Sequence, residues 1–205
     1  MASKYDRRVD EMTDNLIRLY NGRLPVDDTN GRQWYDKAGA IMREWSESYR
    51  LPLVTVASVT AAISPQCDWE RNLIIADEVL AGHNAPSIGG ALPANIRKAV
   101  AIRDGASLFD VFISAPKVAS FAVNLAGDYS AVTVDTHAVQ AAFNDVTVNV
   151  SLKANVYESF AEAYRRAATA VGERPAIFQA IIWSMWKRLH PRLQKRSERM
   201  GYANV

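Results

Sequence analysis

The chain has 205 residues, 24 Lys and Arg against 22 Asp and Glu, and a formal net charge of +2. That length suits one domain or a compact two-lobed unit with its own core, and the near balance of charge gives no composition-level sign of a nucleic-acid binder. Its single cysteine, Cys67, excludes an intrachain disulfide and any cysteine-only zinc or iron–sulfur site. The start of the sequence has no apolar leader, and no apolar run reaches membrane-span length. We therefore expect an intracellular (cytoplasmic) protein with no membrane partner and no cofactor.

In chain order, residues 3–21 mix charge with Val9, Met12, Leu16, Ile17 and Tyr20 at helical spacing, and Gly22 ends the run. Leu24 to Arg32 is rich in turn residues and reads as a loop. Trp34, Ala38, Ile41, Met42 and Trp45 predict a helix over 33–49. After Pro52, residues 54–63 are apolar and β-branched. Without partner strands they read as a buried helix, ended by Ser64-Pro65-Gln66. Asp68 is placed to cap a helix over 69–81, closed by Gly82.

A Gly/Pro connector follows, from His83 to Ala91. Pro93 opens a helix ended by Gly105, and Ser107 caps a short helix through Ile113. From Lys117 to His137 the spacing predicts a helix, a Gly-Asp turn, and an apolar run that brings Asp135 to the start of another helix, 136–143. A polar connector to Ser151 precedes a long helix over 152–171, with Val156, Phe160, Ala163, Tyr164 and Ala167 on one face. Pro175 opens a last apolar helix to Leu189. The expected fold is all-α, a two-lobed bundle of eight to ten helices. Residues of about 53–130 would form a middle lobe, and 1–52 with 131–190 the other. A basic end, 187–205, carries Lys187, Arg188, Arg192, Lys195 and Arg196.

The order of several short motifs resembles the helix-hairpin-helix DNA glycosylase superfamily, of the endonuclease III type, over roughly residues 50–190. Ile63-Ser64-Pro65-Gln66 is similar to that family's Ser-x-Gln turn. Asn95-Ile96-Arg97-Lys98-Ala99 is similar to its helix with an Asn-Ile-x-Lys-Ala pattern. Val134-Asp135-Thr136-His137 stands eighteen residues after Lys117, the family's separation between catalytic lysine and catalytic aspartate. The late Trp183-Ser184-Met185-Trp186 has a counterpart too.

The resemblance implies a DNA-binding enzyme that flips a base and cleaves its glycosidic bond, with a lyase step open to the lysine. It makes Asp135 and Lys117 the catalytic residues and Gln66 the side chain that fills the gap left by the flipped base. Ser64, His137 and the basic residues of the chain end would stand near DNA, and DNA is the expected partner.

One stretch departs from the pattern. The family's phosphate-binding hairpin is glycine-rich. Here the sequence is Ile113-Ser114-Ala115-Pro116-Lys117, without glycine and with a proline that has no amide hydrogen. That departure is similar to a second branch of the same fold, the phage thymine-hypermodification enzymes, which join an amine or amino acid to a pyrophosphorylated 5-hydroxymethyluracil. A non-catalytic DNA- or protein-binding module is a third reading.

Plainer roles apply to the same residues. Asp135 fits a helix cap, and Lys117 fits a surface lysine at a helix opening. Gln66 fits a turn residue, His137 a half-buried helix residue, and the five tryptophans fit core. The three histidines are far apart in sequence, so no metal site is expected.

Overall fold

The computed structural model describes residues 3–191. It is all-helical, with no strand among the described residues. After a 3₁₀ turn at Asp6–Arg8 come α1 (Val9–Asn21), α2 (Pro25–Tyr49), α3 (Leu53–Ile63), α4 (Trp69–Leu80) and α5 (Pro93–Arg103). Then follow α6 (Leu108–Phe112), α7 (Pro116–Leu125), α8 (Thr136–Phe143), α9 (Ala154–Ala170) and α10 (Pro175–Leu189). No helix among the described residues is long and apolar enough to cross a membrane.

Local chemistry explains most of the boundaries. Asp68 accepts from the Arg71 amide and starts α4, and Ser107 accepts from the Asp110 amide and starts α6. Gly105, with φ +96°, stands just past α5, where the chain turns left-handed. The α2 boundary differs from the expected loop over 24–32. Pro25 is the first residue of the helix, and its missing N–H costs nothing there. Asp27 reaches back to accept from the Leu24 amide at 2.8 Å, closing the first turn. Within the helix, position 31 has room only for glycine, since a Cβ there would lie 2.5 Å from the backbone nitrogen of Ile181. The start of α9 is also later than expected: Lys153, not Ser151, is its N-cap.

The chain divides into two units. Among the described residues, one is built from 3–35 and 128–189, the other from 36–127 with 190–191. In the first, α1 packs on α8, α9 and α10. Met12, Leu16, Phe160, Tyr164, Phe178, Ile181 and Trp186 are among its fully buried side chains. Each contributes about 1.5–3 kcal/mol on leaving water. Tyr20 stacks on Phe178 at 5.0 Å, and Tyr164 meets the same ring edge-on at 6.1 Å.

In the second unit, α3 is the central helix and packs on α4, α5 and α7. It is apolar on nearly all sides, and residues Val56 to Ile63 are all buried. That burial is why a β-branched run folds as helix here: a segment surrounded by helices must satisfy its own backbone. Of the five tryptophans expected in the core, only Trp186 is fully buried; Trp34, Trp45, Trp69 and Trp183 are half-buried.

Candidate active-site residues in each unit

In the first unit, Asp135 stands at the end of an extended stretch and at the start of α8. Its backbone is extended, with φ −116° and ψ −173°, and its Oδ1 accepts from the Ala138 amide at 2.7 Å. The cap is therefore real. It uses only one carboxylate oxygen. Oδ2 has no hydrogen-bond partner among the described residues, and the side chain is half-buried. A capping aspartate fixed by one oxygen keeps the other available to a substrate, so the two roles are chemically compatible.

The surroundings of Asp135 are unusually well bonded. Tyr164 is fully buried and its hydroxyl donates to the Ala138 carbonyl at 3.1 Å. Burial, and then the nearby Asp135 charge, push the Tyr164 phenol well above its usual range. Tyr157 and Gln179 bind the residues just before Asp135; neither was legible as a site residue in the sequence, because their partners lie 23 and 46 positions away. His137 lies in the first turn of α8. Its Nδ1 is shut away from solvent without a hydrogen-bond partner, so this nitrogen is not presented to a ligand.

The other sequence-derived residues of this unit are engaged. Arg188 grips Asp27 through two hydrogen bonds, at 2.8 and 2.7 Å, and Asp27 is only 1% exposed. Burial works to raise the Asp27 carboxyl, but the Arg188 bonds and the Leu24 amide outweigh it and hold it below the usual range. Lys187 lies over the Trp183 ring at 4.1 Å. Arg192, Lys195 and Arg196 lie outside the described residues.

In the second unit, Ser64 and Gln66 share the turn between α3 and α4. The Ser64 Oγ donates to the Ala61 carbonyl at 2.9 Å, and the Cys67 amide donates to the Ser64 carbonyl at 3.2 Å. Asn95, buried on α5, donates to the Pro65 carbonyl at 3.3 Å. Gln66 is exposed and left-handed, with φ +61°. For a residue with a Cβ that backbone costs on the order of 1 kcal/mol, and the turn holds it nonetheless. Next to it, burial and the Asp68 charge push the Cys67 thiol up to about 11, which keeps it protonated at neutral pH and a poor nucleophile.

Lys117 is the second residue of α7. It is half-buried, and its ammonium has no hydrogen-bond or ion-pair partner among the described residues. The turn before it has fewer amides to give an anion than a glycine-rich hairpin. Pro116 has no N–H, and the Ala115 amide already donates to the Phe112 carbonyl at 2.8 Å. Large apolar side chains near this turn face solvent: Phe109, on α6, is 73% exposed, and Ile113 is 69% exposed. Among the described residues no group of three or more His, Cys, Asp and Glu side chains could hold a metal ion.

The chain belongs to the family of unknown function DUF7178, whose profile matches residues 1–190. No curated protein and no solved structure matches it.

Proposed function

We propose that the protein acts on a nucleobase in DNA, in the manner of an N-glycosylase. Asp135 carries this reading: its carboxylate is held by one oxygen while the other has no partner. Glycosidic cleavage builds positive charge on the sugar as the C1′–N bond breaks and the base leaves with the bonding pair. A fixed carboxylate near C1′ stabilises that charge or takes a proton from the attacking nucleophile. Where the nucleophile is the Lys117 amine, its nitrogen bonds to C1′ as the base leaves. The C1′–O4′ bond then opens, O4′ takes the proton, the nitrogen pair forms the Schiff base, and elimination of the 3′ phosphate cuts the strand. Gln66, exposed on a turn that holds it left-handed, fills the gap left by the flipped nucleotide.

The test is incubation with duplex oligonucleotides carrying single damaged or modified bases. Base release, followed by strand scission in alkali and lost in Asp135→Asn, supports the reading. No release across a broad panel overturns it.

A second reading draws on a specific observation, the proline-led turn before Lys117 whose neighbouring amide is already bonded. A transferase of thymine hypermodification needs no hairpin of the glycine-rich kind. Asp135 would take a proton from the incoming amine, and Lys117 would hold the phosphate oxygens of the departing pyrophosphate. DNA bearing pyrophosphorylated 5-hydroxymethyluracil, incubated with amines and digested to nucleosides, separates the two. A new nucleoside mass favours the transferase, and an unchanged profile removes it.

A further inference from the structure

The three residues before Asp135 belong to no helix, and among the described residues no strand lies beside them. Buried backbone of that kind needs partners, and here they are side chains. Gln179, on α10 and 7% exposed, treats Thr133 as a neighbouring strand would. Its Oε1 accepts the Thr133 amide at 2.8 Å, and its Nε2 donates to the carbonyl of the same residue. Tyr157, on α9 and 5% exposed, bridges the residues on either side. Its hydroxyl accepts the Val134 amide at 3.1 Å and donates to the Val132 carbonyl at 2.5 Å. Two helices thus fix both polar groups of Thr133, the carbonyl before it and the amide after it. On the far side of Asp135, the amide of Ala138 holds Oδ1 while its carbonyl is held by Tyr164.

A rotation about Val134 would swing the Asp135 carboxylate, and it would strain the bond from the Val134 amide to Tyr157 and the bonds that hold Thr133 just before it. We infer that Gln179 and Tyr157 are positioning residues for Asp135: they set the direction of Oδ2 without touching what it acts on. This rests on the reading of Asp135 as the reactive carboxylate. It predicts that loss of either side chain alters Asp135 itself and not only the stability of the fold.

The experiment compares the full-length wild type with Tyr157→Phe, Gln179→Leu and a control, Leu16→Ala. The control opens the core on α1, at a side chain that is fully buried and bonded to nothing in the stretch. The first readout is the pH titration of the Asp135 carboxyl carbon by ¹³C NMR, assigned by its absence in Asp135→Asn. A midpoint moved by about half a pH unit or more in both clamp variants, and unmoved in the control, is expected. A midpoint unmoved in the clamp variants, or moved as far by Leu16→Ala, overturns the inference. Should Gln179→Leu fail to fold, the conservative Tyr157→Phe decides alone.

The second readout is single-turnover base release from a duplex carrying uracil or 5-hydroxymethyluracil. A fall of about 10²-fold at unchanged duplex affinity is expected, since small misplacement of a reacting group has that cost. An unchanged rate overturns the inference. If the wild type itself releases no base, the glycosylase reading fails on these probes, while the titration still decides the clamp.

Discussion

Ahead of α8 and ahead of α7 the chain brings a chemically capable side chain to a helix start, and it does so in opposite ways. Before α8, Thr133 is bonded through both its backbone groups, Val132 and Val134 are each bonded once, and Asp135 is bonded to α8 itself. Before α7, a proline opens the helix, one amide closes a tight turn, and Lys117 extends without a partner. The difference suits the roles proposed for the two groups. A carboxylate that stabilises a transient charge must be aimed before the charge forms. A lysine is a point charge on a flexible stem and finds its target by moving.

The contrast can be broken or sharpened by substitution. Asp135→Asn has the largest expected effect: base release falls by about 10³-fold or more. Its unfolding midpoint shifts little, because Asn caps a helix nearly as well. A large loss of stability in thermal unfolding would instead make the carboxylate structural.

Next comes the pair that ties the end of α10, the helix carrying Gln179, to the start of α2. Arg188→Ala strands the buried Asp27 carboxylate and is expected to cost roughly 2–3 kcal/mol in chemical denaturation. The pair also has a pH signature. The folded Asp27 carboxyl lies below the ordinary value of about 3.9, so its stabilisation is complete above that pH. It is lost as pH falls through the lower folded value. Wild type therefore loses more stability than Asp27→Asn on acidification below about pH 4.

Gly31→Ala follows. Its added Cβ would press on the α10 backbone at Ile181, and overpacking of this kind costs about 1–3 kcal/mol in urea unfolding. The smallest expected change in stability is that of Lys117→Ala, within about 0.5 kcal/mol, because nothing bonds to it. Base release should nonetheless fall in that variant if the amine is the nucleophile. A lysine whose removal unfolds the second unit would erase the contrast between the two helix starts.

Much of the fold was legible because its signals are local. Asp68, Ser107 and Asp135 each announce a helix start through their own side chains, and all three cap as expected. The buried helix α3 was legible from the lack of partner strands. Residues 25–32 misled because Pro25, Asp27, Asp28, Asn30 and Gly31 have a loop's composition. Three of them fit the helix for separate reasons: Pro25 stands in its first turn, the Asp27 carboxylate returns to the Leu24 amide, and Gly31 leaves room for the Ile181 backbone. The candidate site divides in the same way. The cap at Asp135 and the closed turn at Pro116 can be read from neighbours in sequence. The hold that Tyr157 and Gln179 exert on the stretch before Asp135 exists only once α9 and α10 have folded against it.

The buried phenol of Tyr164 gives the first unit a built-in optical alarm. Its folded-state pKa is raised, so the native protein resists ionising it, and that resistance becomes a loss of stability as pH climbs past the ordinary tyrosine value of about 10. In an alkaline scan followed by phenolate absorbance, exposed tyrosines ionise smoothly and reversibly. Tyr164 stays dark until its surroundings open, and then ionises together with the collapse of the cap at Ala138 that it supports. A late, cooperative step in that spectrum would mark the opening of the ground on which Asp135 stands.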